Sequence, residues 1–213
     1  CSNVGFAIKL FQVLNARGLD LTNSDLIKSY LIGKIHALYA TDLVKQKEAT
    51  FLQDWIACEK MALNIDEGLN ELFVMYEYYL LGANPKKSLY DELEKQFANE
   101  DPLDVISDFK AFVSGYESNV FDGQDPITYS YFYLRWSIYW KTILATAYHS
   151  GYQNIPELKV SVRRFFYLFW IAGFTLTRVK QPSFNLIKWI KEKKLINEIK
   201  QELEKVIADN RVQ

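Results

Sequence analysis

Residues 69–80 read LNELFVMYEYYL, with Leu69, Leu72, Phe73, Tyr76 and Leu80 recurring at intervals of three and four. That spacing lines the apolar side chains along one face of an α-helix, whereas a half-buried strand would alternate with period two. The same period extends in both directions. Upstream it links Ile8, Phe11 and Leu14, then Leu26, Tyr30 and Ile35, then Phe51, Trp55, Ile56 and Leu63. Downstream it links Leu89, Leu93 and Phe97, then Val105, Ile106, Phe109, Phe112 and Val113. Residues 131–148 are aromatic and too apolar to lie in water, so a central helix is predicted there.

Punctuation agrees with these stripes. Pro85, Pro102, Pro126, Pro156 and Pro182 fall between periodic segments, where helices begin or stop. Gly18, Gly82, Gly115, Gly123 and Gly151 are placed to close helices. Thr22, three residues before Asp25, reads as an acidic capping box. With no sustained alternation, no hairpin signal and no internal repeat, the expected fold is all-α, an irregular multi-helix array of about eight to ten helices.

Composition narrows the function classes. The 213 residues are 49% hydrophobic and 24% charged, enough to bury a core and unlike a disordered tail. A formal net charge of -1 excludes a uniformly basic protein but leaves local patches open. Cys1 and Cys58 cannot build a disulfide scaffold or a four-cysteine zinc site, and so few thiols suggest a cytoplasmic protein. His36 and His149 are far apart in sequence and carry no metal-ligand spacing, so no metal site is expected. The longest uncharged run, residues 165–177, has 13 residues, short of the roughly 20 that span a bilayer, and no membrane association is expected. Carboxylate pairs at Asp66/Glu67, Asp91/Glu92 and Asp101/Asp104 read as polar helix faces or turns rather than as a hydrolase's acid and base.

Charge is unevenly distributed. Residues 1–158 hold 13 basic and 21 acidic residues, whereas residues 159–213 hold 12 basic and 5 acidic. Arg163, Arg164, Arg178, Lys180, Lys188, Lys191 and Lys194, with Phe, Tyr and Trp between them, are candidates for contact with a DNA backbone. Two other readings fit the same residues. Lys188, Lys191 and Lys194 also suit the solvated face of an amphipathic helix opposite Leu186, Ile187 and Ile190, and Arg163 and Arg164 could pair with the acidic part of the chain.

Residues 8–32, IKLFQVLNARGLDLTNSDLIKSYLI, form the most specific segment. An apolar helix runs into Asn15, Ala16, Arg17 and Gly18, turns, and restarts behind Thr22. Asn15 can bond nearby backbone, Gly18 permits the reversal, and Arg17 emerges at a helix end, where its forked donors could grip a phosphate with help from the next helix's first amides. A purely structural corner fits the same residues. The order Leu14, Asn15, Arg17, Gly18, Leu21, Asp25, Leu26, Ile27, Lys28 and Tyr30 resembles the closing segment of the GmrS-type N-terminal domain of GmrSD-like modification-dependent restriction endonucleases. Residues 72–97, and the stretch VRRFFYLFWIAGFT at 162–175, are similar to that family's helical regions.

The resemblance implies a parent enzyme with a ParB-like nucleotide-handling domain first and an HNH-type nuclease domain last. Residues 1–32 would close the first domain and 33–213 would form a helical domain, dividing near 123–127 into two sub-bundles. It implies a nucleoside triphosphate and a divalent metal for the parent, and a nucleotide site completed here by Asn15, Arg17 and Gly18. The family's Asp-Gly-Gln-Gln-Arg motif and its nuclease histidine have no counterpart in this sequence. The expectation is therefore a DNA-defence fragment without catalytic residues of its own, with duplex DNA and the two catalytic portions as partners. The competing expectation is a helical protein-docking domain without nucleic-acid contact, its aromatic residues around Tyr131 to Trp140 reaching the surface.

Overall fold

A capping box opens the first described helix. Asp25 N donates to Thr22 Oγ1 at 3.3 Å and Thr22 N donates back to the Asp25 carboxylate at 2.9 Å, a reciprocal arrangement that satisfies amides the helix start leaves unpaired. A computed structural model describes residues 22–121 and 125–210. Its helices are α1 (Asn23–Leu38), α2 (Thr41–Asn64), α3 (Leu69–Leu81), α4 (Leu89–Phe97), α5 (Pro102–Tyr116), α6 (Pro126–Tyr131), α7 (Ser137–His149), α8 (Ile155–Ile171), α9 (Leu176–Lys191) and α10 (Ile196–Asp209). A π-helical turn, Glu117–Phe121, follows α5, and no strand occurs among the described residues. The fold is all-α.

The helices divide into two compact units. The first comprises the chain up to Val74 together with Lys86–Lys110, and the second Met75–Pro85 together with the chain from Ala111 onward. The boundary expected after residue 32 falls inside α1, and the division expected near 123–127 falls inside the second unit.

In the first unit α1 packs on α2 and α4. Its buried stripe is Ser24, Ile27, Leu31 and Ile35, with Leu26 and Tyr30 only half-buried. Of the expected stripe Ile35 is buried, while Ile27 and Leu31 take the places of Leu26 and Tyr30; Tyr30 is amphipathic, its ring meeting Tyr90 edge-on and its hydroxyl donating to Glu94 O at 3.4 Å. On α2, Phe51, Trp55, Cys58 and Ala62 are buried while Ile56 and Leu63 face solvent, so one narrow face serves the core. Phe51, Trp55, Phe73 and Phe109 form a continuous row of rings, ending in a parallel stack of Phe73 on Phe109 with centroids 4.0 Å apart. Lys34 Nζ donates to the carbonyls of Phe97, Ala98 and Glu100, closing the C-terminus of α4. The start of α1 and the end of α4 are therefore held by side chains, the first supplied locally and the second by a neighbouring helix.

In the second unit α7 lies against α8 and α9 and is buried around most of its circumference, from Tyr139 and Trp140 to Thr142–Ala147. The aromatic segment is not one helix. Residues 132–136 break it, and Trp136 stands at the start of α7 with φ 58°. Two punctuation marks also act differently from expectation. Pro182 lies inside α9, where the buried Val179, Phe184, Ile187 and Ile190 hold the helix together despite the missing amide. Gly115 lies inside α5; a Cβ there would meet Tyr148 Cβ at 3.9 Å and His149 N at 4.0 Å, so it sits where α7 passes close. Gly18 and Gly123 lie outside the described residues.

Three successive helices of this unit end alike. Gly151 closes α7, Gly173 closes α8 and Lys193 closes α9, each at positive φ, and the next amide reaches back over the last turn: Tyr152 N to Ala147 O at 2.8 Å, Phe174 N to Phe169 O at 3.0 Å and Lys194 N to Trp189 O at 2.9 Å. Lys193 is the exception in kind, since a Cβ is strained at φ 57°. Lys193→Gly is therefore expected to raise stability by about 0.5–1 kcal/mol, read as a higher urea midpoint at unchanged m-value. An unchanged or lower midpoint would show that the strain is absorbed elsewhere.

Candidate functional site

The second half of the 8–32 segment is described and the first half is not. Asn15, Arg17 and Gly18 lie outside the described residues. Thr22, Asn23, Ser24 and Leu26 line a cleft with Gly68, Leu69, Asn70 and Glu71, in the first unit, where the starts of α1 and α3 approach and Asn23 Nδ2 donates to Asn70 Oδ1 at 3.2 Å. The start of α1 already carries a negative charge. Thr22 Oγ1 and Thr22 N both donate to the Asp25 carboxylate, so the attraction that a helix N-terminus offers an anion is met internally. Help from these amides in holding a phosphate is accordingly weakened.

The seven basic candidates do not form one tract. Arg163 and Arg164 are exposed on α8, while Arg178, Lys180, Lys188 and Lys191 belong to α9 and Lys194 to the connection after it. Lys191 serves the fold. Its Nζ donates to Tyr79 O at 2.6 Å and Leu80 O at 2.9 Å, at the end of α3, and stands 4.7 Å from the Tyr79 ring centroid. Lys194 Nζ lies over the Trp189 ring at 4.6 Å. Arg164 pairs with Glu204 and Lys188 approaches Glu192 at 3.8 Å, both at exposed positions where such pairs contribute little. Arg178 is exposed and Lys180 half-buried.

Arg163 has a different neighbourhood. Its guanidinium lies 3.5 Å from Ser130 Oγ on α6, a helix that packs against α8. Around Ser130 the rings of Tyr129, Phe132 and Tyr133 are 60%, 41% and 64% exposed. The Tyr129 and Tyr133 rings stand edge to face at 5.6 Å, and their hydroxyls are 3.0 Å apart. Within the Tyr131–Trp140 stretch the sequence singles out, Phe132 and Tyr133 reach the surface while Tyr131, Tyr139 and Trp140 are buried. The burial follows from α6 turning one side to the core and from α7 being covered around most of its circumference.

Beneath this surface lies a polar cluster that anchors it. Asp125 caps α6, accepting from Thr128 N at 2.9 Å and from Thr128 Oγ1, and it accepts from Lys159 Nζ of α8 at 2.9 Å. Lys159 is buried, with its ammonium 5.5 Å from the Tyr148 ring. The fully buried Tyr131 hydroxyl donates to Lys159 O. Burial alone would raise the Asp125 carboxyl, but the bonds from Thr128 and Lys159 outweigh it and hold it well below the usual carboxylate range. Burial alone would lower Lys159; Tyr148 and Asp125 outweigh it and leave its value raised.

Groups capable of nucleophilic or acid–base work have other roles. Burial pushes the Cys58 thiol up to about 12, which keeps it protonated. Asp91 caps α4 together with Ser88, Glu92 accepts from Lys86 N and Lys87 N, and Asp101 accepts from Leu103 N and from the Tyr39 hydroxyl. The hydrogen bond to Asp101 pushes Tyr39 up to about 12. His36 bonds Glu48 at 3.0 Å, and His149 packs edge-on against Tyr79 and Phe112. Among the described residues no group of three or more His, Cys, Asp or Glu is placed to hold a metal ion, and no helix is long and apolar enough to cross a membrane. No family model, curated protein or solved structure matches the chain.

Proposed function

We propose that this chain is the helical part of a GmrSD-like, modification-dependent DNA restriction protein, without catalytic residues of its own, which helps to complete a nucleotide site and contacts DNA. The observation that carries this reading is the order of residues 14–30, LNARGLDLTNSDLIKSY. Its second half does visible work in folding: Thr22 and Asp25 start α1, and Lys28 reaches Glu59 on α2 at 3.3 Å. The resemblance assigns Arg17 to a nucleotide phosphate in the parent protein, with Asn15 and Gly18 beside it. The parent would supply the triphosphate, the divalent metal and the ParB-like and nuclease portions.

Contact with a DNA backbone falls to the exposed cations, Arg163, Arg164, Arg178, Lys188 and the half-buried Lys180, rather than to Lys191. Retardation of duplex DNA across a salt series tests it. Binding through several cations weakens steeply with salt, and Arg178→Glu with Lys180→Glu and Lys188→Glu is expected to lower the slope of log K against log salt by about 2–3. A slope near zero, or one the triple variant leaves unchanged, would remove these residues from DNA binding. The exposed Tyr129, Phe132 and Tyr133 favour the second reading, a protein-docking face; an apolar dock would respond little to salt.

A further inference from the structure

Residues 126–191 contain nine Lys and Arg but one acidic residue, Glu157, and Glu157 is paired with Lys200. The ring-bearing surface of α6 and α8 lies within this stretch. Asp125, at its edge, is neutralised by Lys159. The stretch is thus strongly basic, although Arg164 is paired with Glu204 of α10, and its surface also exposes rings: Tyr129, Phe132 and Tyr133, with Tyr167 50% exposed one turn beyond Arg163 on α8. Arg135, in the connection after α6, is exposed as well.

These two properties together select among anionic partners. A duplex keeps its base faces stacked inside and shows a protein only edges and phosphates, so exposed rings add little to backbone binding. A single strand presents phosphates for arginines and unpaired base faces for aromatic stacking. A protein partner would make use of the rings but gives no reason for the nine-to-one excess of basic over acidic residues along residues 126–191. We propose that this surface binds single-stranded nucleic acid, with Arg163 on the backbone and Tyr129 and Tyr133 stacking on bases. The proposal deepens the DNA-contact reading above and rests on it.

The anchoring cluster gives the surface the rigidity that stacking requires. Lys159 and Asp125 fix α6 against α8, and Arg163 lies one helical turn from Lys159, so the rings and the guanidinium are carried by elements already held in place.

The test is fluorescence anisotropy of a labelled oligothymidine and of a duplex of equal length with the whole chain, in a salt series. Tyr129→Ala with Tyr133→Ala is expected to weaken oligothymidine binding by about tenfold or more while leaving the duplex within about twofold, because stacking on a base is what those rings contribute. Tyr129→Phe with Tyr133→Phe is expected to restore binding, since stacking needs the ring and not the hydroxyl. Both positions are exposed, and unchanged circular dichroism in the variants would confirm folding. Equal losses on both ligands, or none on either, would overturn the stacking proposal and leave general DNA contact standing. Failure of the unmodified chain to bind either nucleic acid would overturn both readings and leave the surface to a protein partner.

Discussion

Phe73→Ala is expected to cost about 3–5 kcal/mol of unfolding free energy, a loss at the upper end for a single core truncation. Phe73 is 1% exposed and stands in the middle of the ring row, tilted against Trp55 at 5.6 Å and stacked on Phe109 at 4.0 Å. Removing it deletes the transfer energy of a whole ring and strands two aromatic neighbours beside a cavity that rigid rings close poorly. With domains stable by only about 5–15 kcal/mol, the loss is a large share of the total. Phe73→Leu keeps much of the volume and is expected to cost clearly less. Urea denaturation followed by tryptophan fluorescence reads both, since Trp55 reports directly. A loss under about 1 kcal/mol for Phe73→Ala would mean that the row is not a cooperative core.

Asp125→Ala is expected to cost about 2–4 kcal/mol, from the lost cap of α6 together with the ammonium it leaves behind. The partners are not equivalent: the Lys159 side chain is 9% exposed and that of Asp125 44%. Screening reduces the Coulomb attraction at the half-exposed carboxylate, so the hydrogen bonds carry most of the effect. Lys159→Met should therefore cost less, because the carboxylate it leaves can hydrate and still cap the helix. Equal costs for the two variants would contradict this asymmetry. The pH dependence follows from the directions of the shifts. The Asp125 value is depressed in the folded state, so its contribution is complete above the unfolded value of about 3.9 and fades as the pH falls below it. Lys159 is raised, so its contribution is complete below about 10.4 and is lost as the pH climbs through the folded value. Asp125→Ala should flatten the acid limb of the stability curve, whereas a wild-type curve with no acid limb attributable to this residue would exclude the pair as a determinant.

Helix existence was legible because apolar period three-to-four is a local signal, and so was the Thr22–Asp25 start, which lies within three residues. What escaped sequence reading depends on neighbours remote in the chain. Ile56 and Leu63 fit the apolar period of α2 but face solvent, because no helix among the described residues covers that side. Pro182 carries the local signal of a break, yet burial of the α9 face outweighs it. The surface cations were the hardest to assign. Lys188 and Lys191 look alike in sequence, and only the arrival of the α3 carbonyls separates an exposed cation from a helix cap. Likewise, residues 129–133 show five consecutive polar or aromatic side chains, and period alone does not say that Tyr131 turns inward while Tyr129 and Tyr133 turn out. A charged residue within that stretch would have marked the outer side.

The caps on α3 and α4 also constrain what an ammonium can be exchanged for. Lys34 meets three backbone oxygens, those of Phe97, Ala98 and Glu100, and an ammonium has three N–H bonds to give. Its coordination is full, so it has no donor left for a phosphate even though it is counted among the basic residues. Lys191 has committed two bonds in the same way, to Tyr79 and Leu80. A guanidinium spreads its donors around a plane instead of pointing them from one atom. Arginine at position 34 would preserve the charge and lose the stereochemical match, and the helix end would lose the group that terminates it.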